Sequence, residues 1–325
     1  MADRRIFSGI QPTGELHLGN WVGAVRNWVD LAQGNECIYC IVDYHALTLH
    51  RSGDELRADS RAMAKSLLAA GVDPEACTLF LQSDVPEHVE LAWILATVAP
   101  MGELNRMTQY KDKVGRGLTP DLGLFAYPVL QAADILLYKA EAVPVGEDQV
   151  QHLELTREVA RRFNNLYGDV FPEPEVLLTE VPRVSGLDGK GKMSKSAGNH
   201  LPLFTDAADT AKRVGAAVTD PARVRRDDPG DPDNCNLWPL HRAFLDEEAR
   251  APLAAGCRSA EIGCVQCKGA LVEGLEASLA PMRDAHASLD DDSVDGVLEA
   301  GAAAARETAG EVIDEVRSVT GLGRG

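Results

Sequence analysis

Short β-rich runs alternate with helical patterns through the first 200 residues, and helix formers take over from about Pro202 onward. Glycine-rich and polar turns fall at the ends of the β-rich runs. These observations predict an α/β fold: a parallel sheet of the Rossmann type over residues 1–200, followed by an all-α domain over residues 201–325. Ligands of such a sheet bind beyond the carboxyl ends of its strands, so chemistry is expected in those turns.

The first strand covers residues 6–10, Ile6-Phe7-Ser8-Gly9-Ile10, and runs into the turn Gln11-Pro12-Thr13-Gly14. A helix follows over 18–32. The second strand, 38–42, ends beside Asp43-Tyr44-His45. Over 54–70, Leu56, Ala64, Leu67 and Leu68 share one helical face, and Ala69-Ala70-Gly71 marks the stop. A strand at 78–82, a helix at 86–97 and a strand at 142–145 continue the alternation, the last leading into Gly146-Glu147-Asp148-Gln149. In the second half a polar loop at 224–233 interrupts the helical pattern. The last helix, 294–318, repeats Val297, Leu298, Ala302, Ala305, Ala309, Val312, Ile313 and Val316 at helical spacing, a stripe read as core. Gly296, Gly301 and Gly310 cost this helix propensity, so tertiary contact must hold it.

The 325 residues suffice for two domains and a large core, and 45% of them are hydrophobic. No apolar run has the length of a membrane span, and Met1-Ala2-Asp3-Arg4-Arg5 leads into a short strand, not a signal-peptide core. The expectation is a cytoplasmic protein with no membrane partner. A net charge of −18 argues against nonspecific nucleic-acid binding, so any RNA must meet a local basic surface. Cys37 and Cys40 form a Cys-x-x-Cys inside a strand, where residues three apart face opposite ways; they are read as core, as is Cys77.

Two distant segments carry the chemistry. At the first, backbone N–H groups at a helix start near Leu18 attract phosphate, Gly19 permits close approach, and His17 and Asn20 supply hydrogen bonds. At the second, Lys192-Met193-Ser194-Lys195-Ser196 follows Gly189-Lys190-Gly191, and two lysines on a mobile loop can stabilise charge on departing pyrophosphate.

Together these segments resemble the paired motifs of class I aminoacyl-tRNA synthetases. Ser8-Gly9-Ile10-Gln11-Pro12-Thr13-Gly14, Asp43-Tyr44-His45-Ala46, Gly102-Glu103-Leu104-Asn105-Arg106-Met107-Thr108-Gln109, Ala132-Ala133-Asp134-Ile135-Leu136 and Gly146-Glu147-Asp148-Gln149 narrow the resemblance to the tryptophanyl-tRNA synthetases, over nearly the whole chain. It implies tryptophan–tRNA ligase activity, with L-tryptophan, ATP with Mg²⁺ and tryptophan tRNA as partners, in a homodimer. ATP would be held by Gln11, Pro12, Thr13, His17, Gly19, Asn20, Gly146, Glu147, Asp148 and Val184, and by Lys192, Met193, Ser194, Lys195 and Ser196. Lys192, Lys195 and Lys113 would be catalytic. Tryptophan would meet Phe7, Gly9, His45, Tyr127, Gln131, Asp134, Val143, Val145 and Gln149. Of these, Asp134 would accept from the indole N–H, and Tyr127 and Gln149 would bind the ammonium. The nearest rival reading is a tyrosyl-tRNA synthetase, which shares scaffold and lysines.

Cys235, Cys257, Cys264 and Cys267 form Cys-x21-Cys-x6-Cys-x2-Cys. Four thiolates suit a structural zinc ion or an iron–sulfur cluster, and spacing alone does not choose. A subset of tryptophanyl-tRNA synthetases carries a nearly identical array holding a [4Fe–4S] cluster near the anticodon-reading surface. The resemblance therefore implies that cluster, with structural Zn²⁺ as the alternative. Lys212, Arg213, Arg223, Arg225, Arg226, Arg242, Arg258 and Lys268 lie near the array and would present a basic face to tRNA phosphates.

Overall fold

A computed structural model of the chain describes residues 4–115, 117, 119–178 and 184–323. Five parallel strands, β1 Arg5–Ile10, β2 Glu36–Ile41, β3 Cys77–Leu81, β4 Ala142–Val145 and β5 Glu175–Leu178, form one sheet in the order β3-β2-β1-β4-β5. The order reverses between β1 and β4, so a crevice opens at their carboxyl ends. Four strands match the sequence expectation. The fifth does not figure in it: Glu175–Leu178 is four residues long and has no alternation to signal a strand.

The helices are α1 Leu18–Asn20, α2 Arg26–Ala32, α3 Asp43–Ala46, α4 Gly53–Ala69, α5 Glu87–Ala96, α6 Met101–Arg106, α7 Thr108–Gly115, α8 Leu122–Leu136, α9 Val150–Tyr167, α10 Ala207–Ala216, α11 Trp238–Phe244, α12 Glu247–Arg258, α13 Cys264–Ser288 and α14 Asp291–Thr320. Both sheet faces are buried because alternate strand residues feed two cores. Phe7, Ile38, Cys40, Phe80 and Val143 pack with α5, α8, α9 and α14. Ile6, Cys37, Tyr39, Leu79 and Ala142 pack with the α1–α2 segment, α4 and α13. Cys37 and Cys40 thus point to opposite faces, as expected, whereas Cys77 at the strand start is only half-buried.

Seven of the eight stripe residues of α14 are buried, Leu298, Ala302, Ala305, Ala309, Val312, Ile313 and Val316, joined by Val294, whereas Val297 is only half-buried. The helix lies against β3 so closely that a Cβ on Gly301 would stand 1.9 Å from the Leu79 carbonyl oxygen. Gly301 permits that close approach; Gly296 and Gly310 have nothing within 4 Å. Arg317 pairs with Glu90 through Nε and Nη2 at 2.8 and 2.7 Å, and Arg61 pairs with Asp295 at 3.0 and 2.8 Å, fixing α14 to α5 and α4. No helix among the described residues is long and apolar enough to cross a membrane.

Candidate active site

The β1 strand delivers Ser8-Gly9-Ile10 to the crevice, and the chain then bends at Gly14, whose φ of +79° favours glycine. A Cβ there would also stand 3.1 Å from Asp59 Oδ1 and 3.3 Å from Lys195 Nζ. The helix that follows is capped by His17. The Asn20 N–H donates to His17 Nδ1 at 3.2 Å, and the His17 N–H donates to Asn20 Oδ1 at 3.2 Å. Burial, then His200, Lys195 and Lys192, lower the His17 imidazole to about 4. His17 is therefore neutral at pH 7, with Nδ1 engaged as acceptor and Nε2 left as the N–H donor.

The lysine segment comes back onto this turn. Leu18 N–H donates to Leu201 O at 2.8 Å and Leu203 N–H donates to Leu16 O at 3.1 Å, a short antiparallel ladder around His17 and Pro202. Lys195 Nζ donates to Thr13 O at 2.7 Å. Met193 is buried, and a Cβ on Gly19 would stand 3.2 Å from its Cβ. The lysine loop is a bonded hairpin: Met193 N–H donates to Val184 O, Gly186 N–H to Gly191 O, and Ser194 N–H to Asn199 Oδ1. Buried Asn199 also donates to Asp188 and Lys190, a staple that sequence reasoning missed. Lys192 pairs with Ser185 across the hairpin and is exposed, as is Ser196, whose hydroxyl lies 3.3 Å from that of Ser194.

Beside this contact lies a cavity of about 420 Å³ at the β1/β4 reversal. Its walls include all nine residues expected to meet tryptophan: Phe7, Gly9, His45, Tyr127, Gln131, Asp134, Val143, Val145 and Gln149. Of the expected ATP residues, Gln11 and Gly146 line it too. Tyr127, Gln131 and Asp134 share one face of α8, which is apolar on both sides and carries Pro128 within it. Gly23, Ala24, Asn27 and Trp28 also line the cavity and were not anticipated. They follow from a π turn, Trp21–Val25, which shifts the helical phase there. Glu147 opens the 3₁₀ turn Glu147–Gln149 and is exposed. The side chains of Lys113 and Asp148 lie outside what the structure describes.

Asp134 is buried in the cavity wall and accepts three hydrogen bonds, from Gln82 Nε2 at 2.6 Å, His88 Nδ1 at 2.7 Å and His45 Nε2 at 2.7 Å. Burial opposes its charge, but His45 and His88 outweigh burial and hold the carboxyl below its usual range. Tyr127 lies edge-on to His45, and its hydroxyl is 2.8 Å from His152 Nε2.

The four cysteines of the helical half line one small cavity with Thr219, Asp220, Arg223, His241 and Lys268. Burial, then Cys235, Cys257 and Cys264, push the Cys267 thiol up to about 12. Three sulfurs have polar neighbours: His241 Nε2 is 3.2 Å from Cys267 Sγ, Arg223 Nη1 3.8 Å from Cys257 Sγ, and Thr219 Oγ1 3.7 Å from Cys264 Sγ. Among the described residues no three of His, Cys, Asp or Glu already converge as a single-ion site. Several of the nearby cations are spent internally. Arg223 donates to Arg226 O and Ile262 O, Lys268 to Gly215 O and Ala217 O, Arg213 pairs with Asp209, and Arg242 and Arg258 pair with Asp233.

A five-stranded parallel sheet whose first turn meets a distant lysine loop beside a cavity at its carboxyl edge defines a class I aminoacyl-tRNA synthetase scaffold. The family model "tRNA synthetases class I (W and Y)" matches residues 2–280, and the chain belongs to that family. It is 47% identical over 326 residues to the tryptophan–tRNA ligase of Thermotoga maritima, covering 98% of this chain and 99% of that protein. It is 48% identical to that of Deinococcus radiodurans, covering 98% of each. The crystal structure of tryptophanyl-tRNA synthetase from Campylobacter jejuni complexed with ADP and tryptophan superposes with a TM-score of 0.89 at 38% identity, covering 98% of this chain and 100% of that one.

Proposed function

We propose that this chain is a tryptophan–tRNA ligase, and that the cavity beside the Thr13–Lys195 contact is where tryptophan meets ATP. The observation that carries the reading is that one cavity gathers a buried carboxylate, an apolar wall and the edge of the turn that Lys195 touches. The tryptophan carboxylate attacks the α-phosphorus of ATP, and pyrophosphate leaves to give the adenylate. A ribose hydroxyl at the 3′ end of the tRNA then attacks the activated carbonyl, and AMP leaves. No side chain forms a covalent bond; positioning and electrostatics carry the rate. Mg²⁺ bound to ATP would offset charge on the leaving phosphates.

The indole fits the apolar wall of Phe7, Val143 and Val145, with its N–H on Asp134. An acceptor left unpaired by phenylalanine discriminates more strongly than lost apolar contact does. His17 and Asn20 at the helix start, together with Lys192 and Lys195, hold the phosphates, while Gly146 and Glu147 border the ribose. We assign residues 1–200 to catalysis and 201–325 to tRNA recognition, in a cytoplasmic homodimer. Amino-acid-dependent pyrophosphate exchange across all twenty amino acids tests the whole reading. Exchange with tryptophan alone supports it, and exchange with tyrosine or with none refutes it.

The cysteine cavity fits an iron–sulfur cluster by its donor set: four thiols line one space, and burial, then neighbouring thiols, makes those of Cys235, Cys257 and Cys267 harder to ionise until a cation arrives. Cys235, Cys257, Cys264 and Cys267 would hold it, and it would cross-link the loop at Cys235 to α12 and α13. Iron and sulfide in stoichiometric amounts in anaerobically purified protein support this assignment. Stoichiometric zinc in a colourless preparation overturns it.

A further inference from the structure

Behind Asp134 lie three residues that do not line the cavity: Gln82, His88 and Tyr138, all with 0% exposure. Each has its orientation fixed. The Tyr44 N–H donates to Gln82 Oε1 at 3.1 Å, so the amide of Gln82 must turn its Nε2 toward Asp134 Oδ1. A carboxylate only accepts, so His88 carries its proton on Nδ1 where it meets the same oxygen. In the neutral ring its Nε2 accepts from the Tyr138 hydroxyl at 2.8 Å, and burial keeps that phenol protonated. Tyr138 and His88 thus donate in one direction, toward the Asp134 carboxylate.

A carboxylate offers about four lone-pair positions, two on each oxygen. Gln82 and His88 occupy both positions on Oδ1. His45, itself a cavity-lining residue, occupies one on Oδ2, which leaves a single acceptor position on that oxygen. We propose that Gln82 and His88, with Tyr138 behind them, are positioning residues that saturate one oxygen of Asp134 and so fix the direction of its one remaining acceptor site, setting the demand for an N–H donor on the substrate ring. This deepens, and rests on, the reading that Asp134 accepts the indole N–H. Without the two rear donors the carboxylate can rotate to satisfy itself on His45, and the N–H selectivity is lost while the apolar cavity stays.

The test compares two substrates on each protein preparation, tryptophan and β-(3-benzothienyl)alanine, in which sulfur replaces the ring N–H. The ratio of their kcat/KM values in pyrophosphate exchange does not depend on the fraction of protein that is active. The unsubstituted protein should favour tryptophan at least tenfold. His88→Leu and Gln82→Leu should collapse that ratio at least tenfold, through a raised KM for tryptophan, with the benzothienyl substrate changed less than threefold. His88→Asn, which keeps a donor near the Nδ1 position, should restore most of the ratio. Tyr138→Phe removes only a hydroxyl, so it reports on the same donors if the leucine variants fail to fold, and it should lower the ratio about threefold. Equal losses for both substrates, or an unchanged ratio in variants of a discriminating protein, overturn the positioning role. An unsubstituted protein that uses both amino acids equally overturns the Asp134 reading itself.

Discussion

Lys195→Ala isolates the contact between the two halves of the site. The Lys195 ammonium donates to Thr13 O at 2.7 Å, a neutral acceptor, and is half-buried. Burial lowers its pKa, opposed by Asp59 and Glu15, so the charge is poorly hydrated and available to a stronger partner. Exchanging the carbonyl for phosphate oxygens replaces a bond worth about 1 kcal/mol with charge-assisted bonds worth about 1.5–3 kcal/mol each. The gain is largest as negative charge develops on pyrophosphate, and groups of this type contribute about 10²–10³ in rate. We expect Lys195→Ala to lower the tryptophan-dependent exchange rate about 100-fold, equivalent to about 3 kcal/mol. Lys195 does not line the cavity, so tryptophan affinity by equilibrium dialysis should change less than twofold. Comparable losses in exchange rate and tryptophan affinity would show that the lysine acts on the pocket and not on the phosphates.

Two glycines in the same helix should respond with opposite signs. Gly301→Ala must push α14 away from the Leu79 carbonyl and should cost about 2–3 kcal/mol in urea unfolding, whereas Gly296→Ala, exposed and with nothing within 4 Å, should stabilise by up to about 1 kcal/mol. His17 titrates at about 4 in the folded protein, below its ordinary value, so its contribution is complete above pH 6.5 and is lost as pH falls toward 4. The stability lost over that window should be smaller by about 2 kcal/mol in His17→Asn, after allowance for screening, and an unchanged slope in acid titrations followed by circular dichroism would contradict the buried neutral imidazole. Arg225→Ala with Arg226→Ala should weaken tRNA charging about tenfold at physiological salt and leave adenylate formation intact; unchanged charging would place the tRNA surface elsewhere.

The sheet was legible because burial on both faces leaves near-continuous apolar runs, and Cys37 and Cys40 could be assigned to opposite faces from periodicity alone. The stripe of α14 was legible for the same reason, and Gly301 became intelligible only once the Leu79 contact was seen. Helix α8 was harder to read, since Leu122–Leu136 is apolar around its circumference and carries Pro128. Helix α9 was overlooked although Leu153, Val159, Ala160 and Phe163 repeat at helical spacing. At the site, the turn and the lysines were visible as residue types. The π turn that brings Gly23 and Asn27 into the cavity was not, because a one-residue change of phase leaves no mark in composition. The donors behind Asp134 were equally silent. Gln82 and His88 reach it across sequence separations of 52 and 46, and side-chain hydrogen bonds between elements have no periodic signature.

A crystal structure with a nonhydrolysable tryptophanyl-adenylate analogue tests the central claim most directly. It should place the indole nitrogen within hydrogen-bond distance of Asp134 Oδ2, with the phosphate mimic between the Gln11–Thr13 turn and Lys195. An analogue bound with its ring away from Asp134, or with its phosphate mimic remote from both segments, would contradict it.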